Sequence, residues 1–357
     1  MLAITKASLL ATFKSPQATF FSLFFPIVLI AIFGALGGKS GISLNVAVDK
    51  DCDTANILYL KLRENPVLNF VKADESELTD RLKKGRLTAI LNIQQVGNSP
   101  MGPKYNLHIK TSSASQQQIP ALRSVLASCI QSYVSTITHN NISFIKISTE
   151  TLPGREYKMI DFFLPGMIGF SLIGAAVFSV AFLFFSLRDT LVLKRMYASP
   201  IKRAYIVLGE SLSRVIFQLL TVVVLIGFGT LIYHFTLANG FITFINMMVV
   251  SFIALVVFMG FGFFVSGIAK TQSVIPIYAN LFMFPQYFLS GTFFPKSSLP
   301  DAMQGIIKYL PLTALNDAMR NIAFEGSGLL SCSSEILILL AWGVLIYFIV
   351  IKTFRWE

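Results

Sequence analysis

The sequence predicts an all-α polytopic membrane bundle of six transmembrane helices with an inserted extracytoplasmic α/β domain. Hydrophobic residues make up 54% of the chain and charged residues only 13%, whereas about 25% of a soluble globular chain is charged. The missing charge is concentrated in long uncharged runs, and basic residues lie between them. The uncharged runs are 15–38, 162–187, 215–269, 271–295 and 336–351.

Each uncharged run except the last exceeds the roughly 20 residues that cross ~30 Å of hydrocarbon as a helix. The last run, 336–351, is extended by the uncharged stretch 326–334 across Glu335. The run 215–269 has room for two spans, separated by a polar break at 236–240. Five runs therefore predict six spans.

Helices are the expected form of these spans, because backbone polar groups in lipid must be satisfied internally. Blocks such as Val222–Leu225 do not alternate as barrel strands would. The predicted domains are transmembrane helix 1 at 17–38, an extracytoplasmic α/β domain at 39–160, and transmembrane helices 2–6 within 161–357.

The basic residues predict the orientation of the chain. With both termini in the cytoplasm, ten basic residues beside the spans fall inside, as the positive-inside rule requires, and a long domain such as 39–160 crosses regardless of charge. This placement also explains the net charge of +11 without a nucleic-acid partner. We expect a multi-pass protein of the bacterial cell (inner) membrane. The ten residues are Lys6, Lys14, Arg188, Lys194, Arg195, Lys202, Arg203, Lys270, Lys352 and Arg355.

The N-terminal region predicts two features. Residues 1–16 favour an amphipathic interfacial helix, with Leu2, Leu9 and Phe13 on its apolar side; the alternative is a frayed terminus. The following apolar stretch, Phe20–Leu36, exceeds the roughly 7–15 residues of a signal-peptide core and lacks a cleavage site after it. An uncleaved first span is therefore favoured over a removed signal peptide.

The inserted domain has alternating strand and helix signals. Asp74 is the expected N-cap of one helix, and a turn rich in Gly and Pro separates the last two predicted strands. The predicted strands are Ser43–Val48, Val67–Val71, Thr88–Ile93 and Tyr105–Ile109. The predicted helices are Thr54–Leu62, Glu75–Lys84 and Ile119–Ile147, the last leading back to the membrane.

Two loops of the bundle are unusual. The basic segment 188–203 has helical spacing and ends at Ser199-Pro200. The segment 290–325 is too apolar for a solvated loop and too broken by proline for a span, which favours short re-entrant helices packed against protein.

Motifs for catalysis and metal binding are missing from the sequence. Gly38-Lys39-Ser40 resembles the end of a phosphate-binding loop, but Phe33 replaces the first glycine and the context is a membrane span. The three histidines have no paired-ligand spacing, and a calcium site at 49–53 lacks the glycine and distal glutamate of an EF-hand. We expect no enzyme, no catalytic residue, no bound cofactor and no metal. The odd cysteine count leaves a Cys52–Cys129 bridge or free thiols open.

Several blocks resemble the type-2 class of ATP-binding-cassette (ABC) exporter permeases, in the subfamily with a large extracytoplasmic domain between the first two spans. The blocks are Tyr157–Gly166, Arg188–Pro200 with Glu210, Gly260–Gln272, Leu289–Pro300, Leu310–Thr313 and Asp317–Arg320. In Leu187-Arg188-Asp189, leucine stands where the family often has glutamate. The residues matching the family motifs, taken as structural, are Asp161, Pro165, Gly166, Gly291, Pro295, Pro311 and Arg320.

The resemblance implies a permease subunit of an exporter. A separate cytoplasmic ABC ATPase would hold ATP and Mg, and a second permease subunit (a copy or a related chain) would complete the pathway. Membrane lipid and a periplasmic adaptor are further candidate partners. Segment 188–203 would couple to the ATPase; the alternative is a basic loop that only sets topology. The coupling residues would be Leu191, Leu193, Lys194, Arg195 and Met196.

Polar residues inside spans are candidates for the substrate pathway, although interhelical hydrogen bonding explains each one equally well. Glu210 and Arg214, four residues apart, are expected to pair. The 33 phenylalanines favour a hydrophobic or amphipathic substrate, such as a drug or a lipid. A non-transporting accessory protein of secretion or phage infection, with the same topology, is the alternative function. The candidate pathway residues are Gln218, Asn246, Asn280, Gln286 and Phe288.

Overall fold

The computed structural model divides the chain into two compact units: a helical unit, Met1–Leu36 with Met159–Glu357, and an α/β unit, Gly37–Lys158. The described residues are 2–14, 20–36, 44–54, 56–71, 73–99, 102–115, 118–137, 145–152, 158–190, 203–296 and 299–353.

The elements follow one another along the chain as helices, then a mixed α/β segment, then helices again. In chain order they are α1 (Leu2–Phe13), α2 (Phe25–Leu36), β1 (Leu44–Val48), α3 (Ile57–Arg63), β2 (Leu68–Phe70), α4 (Glu75–Lys83), β3 (Ala89–Ser99), β4 (Gly102–Ser112), α5 (Ile119–Ile137), β5 (Ile145–Leu152), α6 (Met159–Asp189), α7 (Arg203–Tyr233), α8 (Phe241–Ile268), α9 (Ile275–Leu289), α10 (Asp301–Ile307), α11 (Pro311–Arg320) and α12 (Ser333–Thr353). Single π-helical turns precede α2 at Phe20–Phe24 and follow α11 at Asn321–Glu325.

Four helices within the described residues are long and apolar enough to cross a membrane: Met159–Asp189, Tyr205–Tyr233, Phe241–Ile268 and Ser333–Thr353. They correspond to the predicted spans two, three, four and six. The helices at the first and fifth predicted spans are shorter. Helix α2 has 12 residues after a π-helical turn, and α9 has 15 residues. The six-span count therefore stays a prediction.

Helix α6 forms the centre of the helical unit. Its buried side chains, among them Leu164, Ile168 and Phe184, share one hydrophobic cluster with α2, α7, α8, α9 and α11. Helix α2 and the π-helical turn before it are held against α6 by the Ser171 hydroxyl, which donates to the carbonyl oxygen of Ser22, and by stacked Phe33 and Phe163 rings 4.3 Å apart. The unit thus has a hydrophobic interior built around one long helix.

The α/β unit contains a five-stranded sheet in the order β2-β1-β3-β4-β5. Strand β1 pairs in parallel with β2 and β3, β3 and β4 form an antiparallel hairpin, and β5 pairs in parallel with β4. Leu58 and Leu62 of α3 share a core with Leu126 of α5, whereas Leu78 and Leu82 of α4 belong to a separate core.

The prediction of one long helix over 119–147 is wrong. Helix α5 ends at Ile137, and Ile145–Leu152 forms β5 along β4, with Ile145 opposite Tyr105 and Leu152 opposite Ser112. In β5, β-branched residues recur at every second position, and such residues favour strands. Asp74 is the N-cap residue of α4 as predicted, but its side chain makes no capping hydrogen bond.

The three cysteines are free, which removes the Cys52–Cys129 bridge. Cys129 is buried, and Cys52 is half-buried with its sulfur accepting a hydrogen bond from the Ile93 N–H at 3.3 Å. Burial raises the pKa of the Cys52 thiol. The stretch Gly38-Lys39-Ser40 lies outside the described residues.

Candidate functional site

The segment predicted to be re-entrant forms a polar junction with the start of α6, which we call the Arg320 junction (Asp161, Phe162, Gly166, Gln286, Ser290–Thr292, Leu312, Asn316 and Arg320). It begins where Pro311 opens α11; proline suits this first position because it has no N–H to satisfy. The next free N–H, on Leu312, donates to Oε1 of buried Gln286 in α9 at 3.2 Å. Gln286 therefore caps a neighbouring helix.

Arg320 binds the turn after α9 and the first turn of α6. Gly291 has a φ of +73°, in the left-handed region where a side chain would be strained. Its carbonyl oxygen accepts from Arg320 Nη2 at 2.6 Å, and the Phe162 carbonyl accepts from the same nitrogen at 3.1 Å. The guanidinium carbon lies 4.1 Å from the Phe162 ring centroid. One side chain thus links three segments.

Asn316 and two glycines complete the packing of the junction. The Asn316 amide nitrogen donates to Thr292 Oγ1 at 3.0 Å and to the Ser290 carbonyl at 3.3 Å. A Cβ added at Gly166 would lie 2.7 Å from the Thr292 carbonyl oxygen, and one at Gly169 would lie 2.5 Å from Asn316 Oδ1. Glycine is required here because the α6 backbone touches its neighbours directly.

Asp161 ties the start of α6 to the connection between α7 and α8. It is buried, and its Oδ1 accepts a hydrogen bond from the Thr236 N–H at 2.9 Å. Pro165 is buried inside α6, where it has no N–H to donate to the Asp161 carbonyl. The family-motif position Pro295 is exposed and lies outside the junction; beside it, Lys296 forms an ion pair with Asp317 of α11.

A second polar cluster, the Arg214 junction (Ser8, Ser179, Glu210 and Arg214), lies near the start of α7. Arg214 Nη1 and Glu210 Oε2 are 2.9 Å apart, and both side chains are largely buried, which confirms the predicted pair. The Ser8 hydroxyl of α1 donates to the same carboxylate oxygen at 2.6 Å, and Arg214 Nε contacts the Ser179 carbonyl of α6 at 3.4 Å. The junction connects α1, α6 and α7.

The last turn of α6 is fixed by Arg188. Its Nη2 donates to the carbonyl oxygen of Ala269, directly after α8, at 2.7 Å, and its guanidinium lies 5.3 Å from the Phe185 ring centroid. The segment that follows, 191–202, lies outside the described residues. The coupling residues there, Leu191, Leu193, Lys194, Arg195 and Met196, stay predictions.

The candidate pathway residues occupy different environments. Gln218 is buried, and its Oε1 has no hydrogen-bond partner among the described residues. Asn246 and Asn280 are half-buried, and Phe288 is 57% exposed. Gln286 belongs to the Arg320 junction. The pathway assignment of all five stays a prediction.

The α/β unit has a separate cavity of about 430 Å³ at the carboxyl ends of β1 and β2, the edge where parallel sheets commonly bind ligands. Its lining includes Asp49, Thr54, Tyr59 and Arg63. Among the described residues, no three His, Cys, Asp or Glu side chains lie close enough together to hold a metal ion.

Sequence reasoning missed several residues of the two junctions. Ser8, Ser179, Thr292 and Asn316 are small polar residues within apolar or amphipathic stretches, and nothing local distinguishes them from lipid-facing or solvated positions. Asn316 had one usable signal: it lies one helical turn from both Leu312 and Arg320, within the matched motif blocks.

Comparison with known proteins decides the family. The model of the family described as "ABC-2 family transporter protein" matches residues 17–352, which is nearly the whole chain. The chain belongs to the ABC-2 family of transporter proteins. It is therefore a multi-pass membrane protein and the membrane component of an ABC transporter.

The ABC-2 chain is also similar to "ABC transporter G family member 20" of Dictyostelium discoideum. The two are 24% identical over 368 aligned residues, covering 98% of this chain and 50% of the relative. The chain thus spans half the length of that curated relative.

Proposed function

We propose that this chain is the transmembrane permease subunit of an ATP-driven ABC exporter. It moves a hydrophobic or amphipathic substrate, drug-like or lipid-like, out of the cytoplasm or the inner leaflet. A separate ATPase subunit holds and hydrolyses ATP, and a second permease subunit completes the pathway. The observation that carries the proposal is the family match over residues 17–352.

The contacts on either side of segment 188–203 support a coupling role. Helix α6 enters it with Arg188 bound to the end of α8, and α7 leaves it with Arg214 bound to α1 and α6. A force applied to segment 188–203 therefore acts on two helices held by their neighbours: α6 in its last turn, and α7 at Arg214, eleven residues beyond its start. Rigid elements with fixed contacts transmit such a displacement, whereas a loosely attached loop would absorb it.

The far end of α6 is where the displacement would arrive. Asp161 and Gly166 in its first turns contact the α7–α8 connection and the turn after α9, and Arg320 binds the Phe162 carbonyl. A 31-residue helix is about 45 Å long, which exceeds the hydrocarbon thickness of a bilayer. ATPase closure on one side would thereby change the packing of α9 and α11 on the other.

The orientation that this mechanism needs has the coupling segment and both termini in the cytoplasm. Single cysteines in a cysteine-free background test it. Lys110→Cys should react with an impermeant maleimide in intact cells, whereas Arg195→Cys should react only after permeabilisation. The reverse pattern would contradict the orientation and with it the direction of export.

The coupling proposal is tested with Leu193→Asp. If the apolar side of the segment inserts into a groove on the ATPase, this change places an unpaired carboxylate in a desolvated interface. The site lies outside the predicted spans, so the permease should stay folded and in the membrane. Recovery of the ATPase by a tagged permease, and export, should fall together.

The matched control is Lys194→Ala, which should have a much smaller effect because charges at the rim of an interface mainly tune association rates. Surface levels of each variant are measured in parallel. Unchanged ATPase recovery with Leu193→Asp at normal permease levels would contradict the coupling role. Failure of the wild-type chain to recover any ATPase would favour the accessory function instead.

A further inference from the structure

An apolar groove of about 290 Å³ lies between α8, α9 and α12. Its eleven lining residues are all aliphatic or aromatic. The indole N–H of Trp342 already donates to the Tyr309 carbonyl oxygen at 2.8 Å, which leaves the Tyr278 hydroxyl as the groove's other polar side-chain group. The groove therefore fits hydrocarbon.

One end of the groove is closed by aromatic rings. Phe261 and Phe282 stack with their centroids 3.7 Å apart, and the Trp342 ring lies 5.8 Å from Phe261. From there the lining continues along α8 to Ile268 and along α12 to Ile349, about 10 Å at the helical rise per residue. The shape is a short slot that follows the helix axes.

Helices α8 and α12 run in the same direction beside this slot. A Cβ added at Gly343 would lie 3.3 Å from the Val257 side chain, and one at Gly260 would lie 2.6 Å from Ile346. Both pairs have the same sequence offset, so the two helices are parallel and their carboxyl ends lie at the same end of the unit. The slot extends from its closed, aromatic end toward these carboxyl ends.

Basic groups surround this end. Lys270 follows α8 by two residues and is exposed. Lys352, in the last turn of α12, is exposed and lies over the Phe348 ring at 4.5 Å. Arg188 is also here, bound to the Ala269 carbonyl, and Asp189 is the neighbouring acidic residue. Among the described residues beside the slot at this end, three basic groups face one acidic group, which gives a positive balance.

We infer that the slot holds one acyl chain of an anionic phospholipid whose phosphate lies between Lys270 and Lys352. Hydrocarbon fits the lining, and a phosphate headgroup satisfies two exposed ammonium groups beyond its end. Basic pockets between membrane helices on the cytoplasmic side are a known setting for anionic headgroups, and the lysines are on the predicted cytoplasmic end. This lipid is a bound component of the membrane subunit, beyond the transported substrate.

The test is native mass spectrometry of the purified full-length chain with equal amounts of dioleoyl phosphatidylglycerol or dioleoyl phosphatidylcholine. The wild type should retain one phosphatidylglycerol with about tenfold preference or more. Lys270→Gln with Lys352→Gln should abolish this preference. Lys308→Gln is the matched control: Lys308 is also exposed and lies over a ring, that of Tyr309 at 4.9 Å, but belongs to the other end of the unit.

A second pair of variants tests the slot itself. Leu345→Trp fills it and should reduce retention of both lipids, whereas Val344→Trp should leave retention unchanged, because the Val344 side chain is 74% exposed and does not line the slot. Equal retention of the two lipids by the wild type would overturn the inference. So would equal effects within either matched pair. Since no ATPase is present in this experiment, its result is independent of the coupling proposal.

Discussion

Arg320 and Phe162 are joined twice, through the backbone and through the ring. The guanidinium of Arg320 donates to the Phe162 carbonyl oxygen at 3.1 Å and lies 4.1 Å from the centroid of the Phe162 ring. The same group reaches the Gly291 carbonyl at 2.6 Å. Nη2 donates to both carbonyl oxygens, Nε also donates to the Phe162 carbonyl at 3.4 Å, and the planar guanidinium lies over the ring. A lysine ammonium has one nitrogen and no flat face, so it cannot reproduce this combination.

The first prediction concerns the planar guanidinium of Arg320. Arg320→Lys should lower the thermal stability of the chain in detergent although the charge is kept, because at least one charge-assisted hydrogen bond worth about 1.5–3 kcal/mol is lost. Lys308→Ala removes an exposed cation from the Tyr309 ring and should cost at most about 1 kcal/mol. An unfolding temperature for Arg320→Lys equal to that of the wild type would show that the geometry of the guanidinium contributes nothing to stability.

The second prediction concerns the contact between α6 and the turn after α9. Gly166→Ala would place a methyl 2.7 Å from the Thr292 carbonyl oxygen. The clash can be removed only by moving the backbone of α6 or of the turn after α9, so the stability of the chain should fall by about 1–3 kcal/mol. Gly227→Ala in α7 meets no atom within 4 Å and should be neutral or stabilise by up to about 1 kcal/mol. Thermal unfolding of the two variants side by side makes the comparison. Equal effects would mean that the close approach at Gly166 is not rigid.

The apolar helices were predictable because their signal is local. Loss of charge over about 20 residues forces a helix in lipid whatever the neighbours are, and α6, α8 and α12 follow their uncharged runs closely. The strand β5 was missed although its β-branched residues recur at every second position, because eight residues of alternation are a weak signal directly after a helix. Ile145–Leu152 is a strand because β4 lies beside it, and pairing with a distant segment is not encoded in a local window.

The residues of the candidate site also fall into those with a local signal in the sequence and those without one. Glu210 and Arg214 were found because four residues of spacing places them together on any helix. Gln286 was identified as a buried polar residue in a span, but its partner is the Leu312 N–H, 26 positions away. No spacing rule connects α9 to the start of α11, so the sequence left Gln286 open between a place in the pathway and interhelical hydrogen bonding, and it could not name the Leu312 N–H as the partner.

A third prediction concerns the thiols. Cys332 is fully buried, and burial, with Glu335 and Glu325 nearby, raises its pKa to about 11. Below that pH the thiol is mostly protonated and unreactive, so a chain with Cys332 as its single cysteine should react slowly with a disulfide reagent at pH 8 and faster as the pH rises. A Cys52-only chain should react faster at pH 8, because Cys52 is partly exposed. Equal rates for the two chains at pH 8 would contradict the burial of Cys332.

The Glu210–Arg214 pair should be energetically coupled well beyond an ordinary helical ion pair. Its side chains are only 16% and 10% exposed, and removing one partner of a buried pair leaves an uncompensated charge at a cost of about 3–5 kcal/mol. Arg214 in addition contacts the Ser179 carbonyl, so its loss also removes a hydrogen bond between α7 and α6. Arg214→Met should therefore be strongly destabilising, and adding Glu210→Met should restore part of the loss.

The control for this cycle is Glu77 and Arg81 in α4, an ion pair with the same four-residue spacing at 2.6 Å but with side chains 52% and 39% exposed. The corresponding Met variants should give a coupling energy of about 0.3–0.5 kcal/mol, against roughly 1–3 kcal/mol for the buried pair. Thermal or denaturant unfolding of the four variants of each cycle measures both values. If the buried pair couples no more strongly than the exposed one, Arg214 does not hold α1, α6 and α7 together, and a displacement at the coupling segment would have no anchored helix start on the α7 side to act on.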